Sequence, residues 1–180
     1  MEVLDIFLNR RSVRTYSGAK IPKEKIEKIL YAGLSSASGR SRKPWELVVV
    51  EEKETLQKLS ESRIGAAQML KNAGCAIVVF ADPQKTDVWI EDCSIVMSNM
   101  HLMADALGLG SCWIQGRLRE TESGMTTEEY CRKLLHVPEN FVLEAILSIG
   151  ELMEEHPQAR KIEELSMDKV HWEKYNAILK

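Results

Sequence analysis

An α/β or α+β domain, one sheet covered by helices, is the architecture this sequence predicts. Three observations lead there. Short β-branched apolar runs alternate with helical periodicities along the chain. The longest helical stretch, about Val88 to Leu107, is apolar around most of its circumference and must be buried on most sides. The 180 residues, 44% hydrophobic and 28% charged, suffice for one domain with a real core and are few for two. Residues 1–180 are therefore read as a single domain.

The elements follow in order. Val3 to Leu8 reads as a short amphipathic helix running into Arg10-Arg11-Ser12-Val13-Arg14, and Ser17-Gly18 marks a loop. Pro22 suits the first turn of a second helix to about Ala37, with Ile26, Ile29, Leu30, Gly33 and Leu34 at helical spacing. A small, basic loop, Ser38 to Pro44, leads to Trp45 and a buried strand at Leu47 to Val50. Glu54 to Ser60 and Ala66 to Lys71 read as helices, and Cys75 to Ala81 as a second buried strand ended by Asp82-Pro83.

In the long helix, Ile90, Cys93, Met97, Met100, Ala104 and Leu107 form one apolar face. Ile95, Leu102 and Ala106 form another, leaving a polar strip of Glu91, Ser94, Ser98, His101 and Asp105. Covering both faces calls for a sheet on one side and a partner subunit on the other; a helix central to a monomeric core is the alternative. Gly108-Leu109-Gly110 stops this helix, and Ser111 to Gln115 is a third strand broken by Gly116. Thr126 and Glu129 have capping-box spacing for a helix to about Leu135. Val142 to Ile149 is the fourth strand. The polar tail, about 151–180, still holds Trp172, Tyr175, Ile178 and Leu179 and is expected to wrap onto something.

Composition excludes several classes. A net charge of -3 provides no basic excess for a nucleic-acid duplex. The start, Met1 to Asp5, carries acids where a signal peptide would be basic, and no apolar run approaches the ~20 residues of a membrane span. A cytoplasmic protein is expected. The four cysteines and four histidines are scattered without the paired spacing of a zinc site, so no metal is expected. Cys112 reads as packing, Trp45 as core or interface, and His101 is not read as catalytic.

Arg10, Arg11 and Arg14 put three guanidiniums in five residues, with Ser12 among them. Planar guanidiniums match phosphate oxygens in pairs, although a solvated basic turn has the same composition. Neither G-x-G-x-x-G after the first strand nor G-x-x-x-x-G-K-[ST] occurs. If this chain holds a phosphate, its arginines must do it.

Three segments in order carry a resemblance: Arg10 to Arg14, Ala37 to Trp45, and Gly108 to Gly116, with a late Pro157-x-x-Arg160. Together they resemble the FMN-dependent nitroreductase family, in its shorter members. The resemblance implies a mixed sheet flanked by helices and an interlocked homodimer with FMN at two interface sites. It implies that Arg10 and Arg160 grip the FMN phosphate, that Arg11 and Ser12 line the phosphate and ribityl chain, and that Arg14 lies near the flavin N1–O2 edge. A cation there would raise the flavin potential. Ala37, Ser38, Gly39 and Ser41 would come from the other chain, whose tail would wrap its partner. Trp113, Ile114, Gln115 and Gly116 would run along one ring face, with the amide of Gln115 or Gly116 reaching N5. Ser41, Lys43, Gln115 and Gln158 depart from the residues usual in the family, and Gln68 lies where relatives often touch the flavin.

The implied activity is hydride transfer from NADH or NADPH to FMN, then to a nitroaromatic, quinone or similar small acceptor, by ping-pong turnover. No side-chain acid or base is then required, so no catalytic residue is assigned. The alternative is a module that stores, senses or delivers FMN. A dehalogenating or flavin-degrading relative would need an inserted lid that is not evident.

Overall fold

The computed structural model describes residues 2–175. In chain order it contains α1 (Val3–Asn9), α2 (Lys23–Leu34), β1 (Trp45–Val50), α3 (Lys53–Leu59), β2 (Cys75–Ala81), α4 (Trp89–Ala106), β3 (Leu109–Gln115), α5 (Thr127–Leu135) and β4 (Val142–Glu151). The four strands form one sheet in the order β1-β2-β4-β3 with every neighbouring pair antiparallel. Parallel pairing among the described residues is confined to a single bridge, Ser12 to Ser111.

Period-two alternation splits the central strands between two cores. Cys75, Ile77 and Val79 of β2 with Ala145, Leu147 and Ile149 of β4 face α2 and α4. Ala76, Val78 and Phe80 with Leu143 and Ile146 face the opposite side, against α3, α5 and the 3-10 turn Gln68–Asn72. Covered on both faces, β2 is buried at every residue, which is why it reads as a continuous apolar run. At Glu144 the register of β4 against β2 slips by one, because Val79 faces Ala145 whereas Phe80 faces Leu143. Glu144 is thus the extra residue of a β-bulge, a device that re-aims a side chain.

α4 packs on the sheet through Cys93, Val96, Met97, Met100 and Ala104. α2 crosses it closely at Gly33, where a Cβ would lie 2.8 Å from Met100 Cγ. The second apolar face of α4 is uncovered within one chain, with Ile95 exposed. Val3, Leu4 and Phe7 of α1 and Tyr31 and Leu34 of α2 are exposed as well.

Sequence and structure differ in places. The helix expected over 66–71 is the shorter 3-10 turn. The first strand starts earlier, at Trp45, and the fourth runs on to Glu151. His101, expected on a polar strip, is buried. The strip is covered at His101, where the Arg10–Ser12 turn and β3 meet it, and both imidazole nitrogens find partners there. Thr126 caps α5 as its spacing implies, its hydroxyl accepting the Glu129 N–H at 3.1 Å. Past β4, the apolar residues Met153, Ile162, Leu165, Met167, Val170, Trp172 and Tyr175 are all exposed. Ile178 and Leu179 lie outside the described residues. No helix among the described residues is long and apolar enough to cross a membrane.

Candidate functional site

The Arg10–Arg14 stretch leaves the end of α1 and lies along the outer edge of β3. The Val13 amide donates to the Ser111 carbonyl at 2.9 Å, which fixes the stretch to the strand. Tyr16 is buried behind it, and its hydroxyl bonds the Val13 carbonyl and Ser148 Oγ at 2.7 and 2.8 Å. Arg10 donates Nη1–H to His101 Nε2 at 2.8 Å. Arg14 is exposed and Arg11 half-buried.

Arg160 is brought from the far end of the chain to the same place. Its amide donates to the Leu8 carbonyl, and its Nη1 to the Arg10 carbonyl, both at 2.9 Å. A guanidinium on the last carbonyls of a helix is favourably placed against the helix dipole. Burial, then the neighbouring Arg160 charge, pulls the Arg10 guanidinium below its ordinary value. Among the described residues no carboxylate oxygen lies within 4.0 Å of either arginine. Two mutually repelling cations with no carboxylate at ion-pairing distance, the Asp105 charge acting on Arg10 only from further off, suit an anion such as a phosphate.

The loop with Ala37, Ser38, Gly39 and Ser41 is built separately. Arg40, Ser41 and Lys43 all have positive φ, 51°, 55° and 46°, each a strained conformation for a side-chain-bearing residue. The loop is held by its own bonds: Asp92 Oδ1 accepts the Gly39 N–H at 2.8 Å and Ser38 Oγ the Lys43 N–H at 3.0 Å. Asp92 is a buried acid on α4 with no signal in the sequence to mark it out from the other acids of that region. The loop's anchor on α4 and the anchor of Arg10 at His101 are nine residues apart, about 13 Å along a helix axis. One chain therefore does not fold this loop onto the Arg10–Arg160 pair.

The four residues Trp113, Ile114, Gln115 and Gly116 divide. Ile114 is buried in the α3–α5 core, so only its backbone faces the strand edge. Trp113 is half-buried, its Nε1–H donating to Gln115 Oε1 at 2.9 Å. The Gly116 amide is spent on the Glu144 carbonyl at 3.2 Å. Successive strand residues turn their amides to opposite edges, so the Gln115 amide faces outward, away from β4. A Cβ at Gly116 would meet Leu143 Cδ2 at 2.5 Å, so only glycine fits this close approach.

Two further groups flank this strand end. Glu144 is buried by the bulge and its carboxyl is pushed up by burial, opposed by Arg117 at 3.5 Å. Arg63 donates Nη1–H to the Gln115 carbonyl at 3.3 Å, and burial followed by the Arg119 charge lowers it. Arg63, Arg117 and Arg119 line a cavity of about 680 Å³ together with the acids Glu120 and Glu128 and with Ile64, Leu118 and Thr126. Gln68 is exposed and turned onto the Ser60 carbonyl instead. Arg63 has no local signal in the sequence, being one cation in a polar loop. His101 has one: it is i, i+4 with Asp105 on the polar strip of a largely apolar helix.

A family model described as the nitroreductase family matches residues 8–68 and 61–151. The chain belongs to the nitroreductase family. A chain of Archaeoglobus fulgidus with an NADH dehydrogenase/NAD(P)H nitroreductase name is 38% identical over 178 residues, covering 97% of this chain and 99% of that one. Among solved structures, a Clostridium difficile R20291 protein named FMN-dependent nitroreductase is 42% identical, with a TM-score of 0.92 over 96% of this chain and 100% of that chain. A Clostridium acetobutylicum structure named as an NADH oxidase is 32% identical, with a TM-score of 0.84 over 95% and 100%. The likeness to both structures spans nearly the whole chain.

Proposed function

We propose that this nitroreductase-family chain is an FMN-dependent oxidoreductase that takes hydride from NADH or NADPH and passes it to a small acceptor of the nitroaromatic or quinone class. The observation that carries this reading is the convergence of Arg10 and Arg160, residues 150 apart in sequence, as a pair of cations beside the edge of β3 that makes no ion pair among the described residues. The names of the relatives supply the chemistry: FMN-dependent nitroreductase, NAD(P)H nitroreductase and NADH oxidase.

Bound FMN would supply a centre that accepts and donates hydride at one atom of its ring. The chain's own residues do the rest. Arg10 and Arg160 would bind the phosphate, and Arg11 and Ser12 would line the path from it. Arg14 offers an exposed cation to the ring edge where negative charge grows. The outward Gln115 amide is a fixed donor for the hydride-bearing atom, the Gly116 amide being already engaged.

The second copy is part of the reading. Within one chain the Ala37–Ser41 loop and the Arg10–Arg160 pair are held far apart on α4, and the apolar residues of α1, α2, the outer face of α4 and the tail stand exposed. A homodimer would bring the partner's loop to the phosphate pair and cover that surface. Donor and acceptor would use one site in turn, which is ping-pong turnover.

The test is spectroscopic. Purified protein should bind FMN stoichiometrically, and anaerobic NADH or NADPH should bleach its absorbance, which a nitroaromatic or quinone then restores. Failure to bind FMN would sink the whole reading. Bound FMN that neither nicotinamide bleaches would leave a flavin-storing or flavin-sensing module.

A further inference from the structure

Two side chains of α4, one helical turn apart, reach the two segments that carry the phosphate-binding arginines. His101 Nε2 lies 2.8 Å from Arg10 Nη1, and its Nδ1 faces Ser111 Oγ. A guanidinium has no lone pair, so it can only donate. His101 Nε2 must therefore accept, Nδ1 must carry the ring proton, and Ser111 Oγ must accept it. The tautomer is fixed by geometry. Ser111 is itself held in β3, where its carbonyl takes the Val13 amide. Asp105, four residues on, has its Oδ1 2.8 Å from His156 Nε2, and His156 Nδ1 lies 2.9 Å from the Pro157 carbonyl oxygen. Three residues past Pro157, Arg160 closes onto the Arg10 carbonyl.

The choice of a neutral ring has a consequence for charge. An acidic partner would orient Arg10 equally well but would cancel the charge a phosphate needs. Neutral imidazole orients the fork by one N–H and leaves four of its five N–H groups, and the full positive charge, for a ligand. Its burial, with Arg10 alongside, holds the ring down to about 4, so it stays neutral in ordinary buffers.

We propose that His101 is a positioning residue for the FMN phosphate, setting Arg10 through Nε2 while Ser111 locks the tautomer, and that Asp105, through His156 beside Pro157, anchors the segment that carries Arg160. This rests on the reading of Arg10 and Arg160 as the phosphate grip, so the test separates the two. The measurement is the dissociation constant of FMN and of riboflavin, which lacks the phosphate, by flavin fluorescence on reconstituted protein. Arg10→Ala should weaken FMN and spare riboflavin.

His101→Leu should do likewise, weakening FMN about tenfold, the scale of one hydrogen bond to a charged group. It should add little in the Arg10→Ala background. His101→Gln, whose amide oxygen can still accept from Arg10, should retain most of the FMN affinity. Ser111→Ala and Asp105→Asn, which leave no large cavity, should each weaken FMN selectively. Riboflavin binding serves as the control for folding. Equal loss of both flavins in His101→Leu and Ser111→Ala, or loss fully additive with Arg10→Ala, would overturn the positioning role alone. An Arg10→Ala protein that binds FMN as before would remove the phosphate reading and this role with it.

Discussion

His101 ties stability to pH as well as ligand geometry to charge. Its folded value is depressed to about 4 from the ordinary 6.5 by burial and then by Arg10. Above the ordinary value neither folded nor unfolded ring is protonated and no stability depends on it. As pH falls from about 6.5 to about 4 the unfolded chain takes up a proton that the folded chain refuses, so stability declines. The span corresponds to a loss on the order of 3 kcal/mol. Urea unfolding at pH 7 and pH 4.5 should therefore show a steeper decline for the native chain than for His101→Gln, and parallel declines would contradict the assignment. Arg14 makes a different prediction. It is exposed, and among the described residues its side chain makes one hydrogen bond, a long 3.5 Å contact to the Ser12 carbonyl, so Arg14→Ala should leave the fold intact. The flavin midpoint potential of that variant should move to more negative values, since a cation beside developing charge has gone. An unchanged potential would move Arg14 away from the ring edge.

Elements whose physics is local are legible in the amino-acid sequence alone. α5 is the plainest: Thr126 and Glu129 announce its start, and Thr126 Oγ1 does accept the Glu129 amide. Thr126→Ala should cost about 1 kcal/mol, the usual worth of such a cap, and thermal melting would read it as a fall of a few degrees. β2 and α4 are equally plain, one from its unbroken apolar run and the other from length and periodicity. What the sequence does not reveal is set by contacts distant along the chain. Glu144 looks like a polar residue in a strand, and only the pairing with Val79 and Phe80 makes it a bulge. Ala66 to Lys71 carries apolar spacing fit for a helix, yet it is compressed into a 3-10 turn where Leu70 enters the core beneath the sheet. The pairing of Arg10 with Arg160 is legible only through resemblance, because nothing local links the two. Of the two candidate amides, Gln115 and Gly116, the choice needs the register of β3 against β4.

For the molecule as a whole, the distribution of exposed apolar side chains matters most. Monomeric proteins seldom leave such surface on several neighbouring elements, yet here α1, α2, α4 and the segment after β4 all do so. The Ala37–Ser41 loop is meanwhile prepared at a cost, with three side-chain-bearing residues in and beside it at positive φ, in a place its own Arg10 cannot reach. Strain of this kind is kept where a structure has a use for it. Both features are accounted for if two copies exchange loops across α4. Ile95 then becomes the residue on which to test the assembly, because it is an exposed apolar side chain on a helix whose opposite face is already committed to the sheet. Ile95→Glu would bury an unpaired carboxylate in a dimer and cost several kcal/mol there, weakening self-association at least about 100-fold. In a monomer it would be an ordinary surface change. Sedimentation of the native chain should give a dimer and of Ile95→Glu a monomer, with circular dichroism alike. The FMN affinity should fall together with the dimer. A monomeric variant that kept its FMN affinity would show that one chain suffices for the site and would end the two-chain reading.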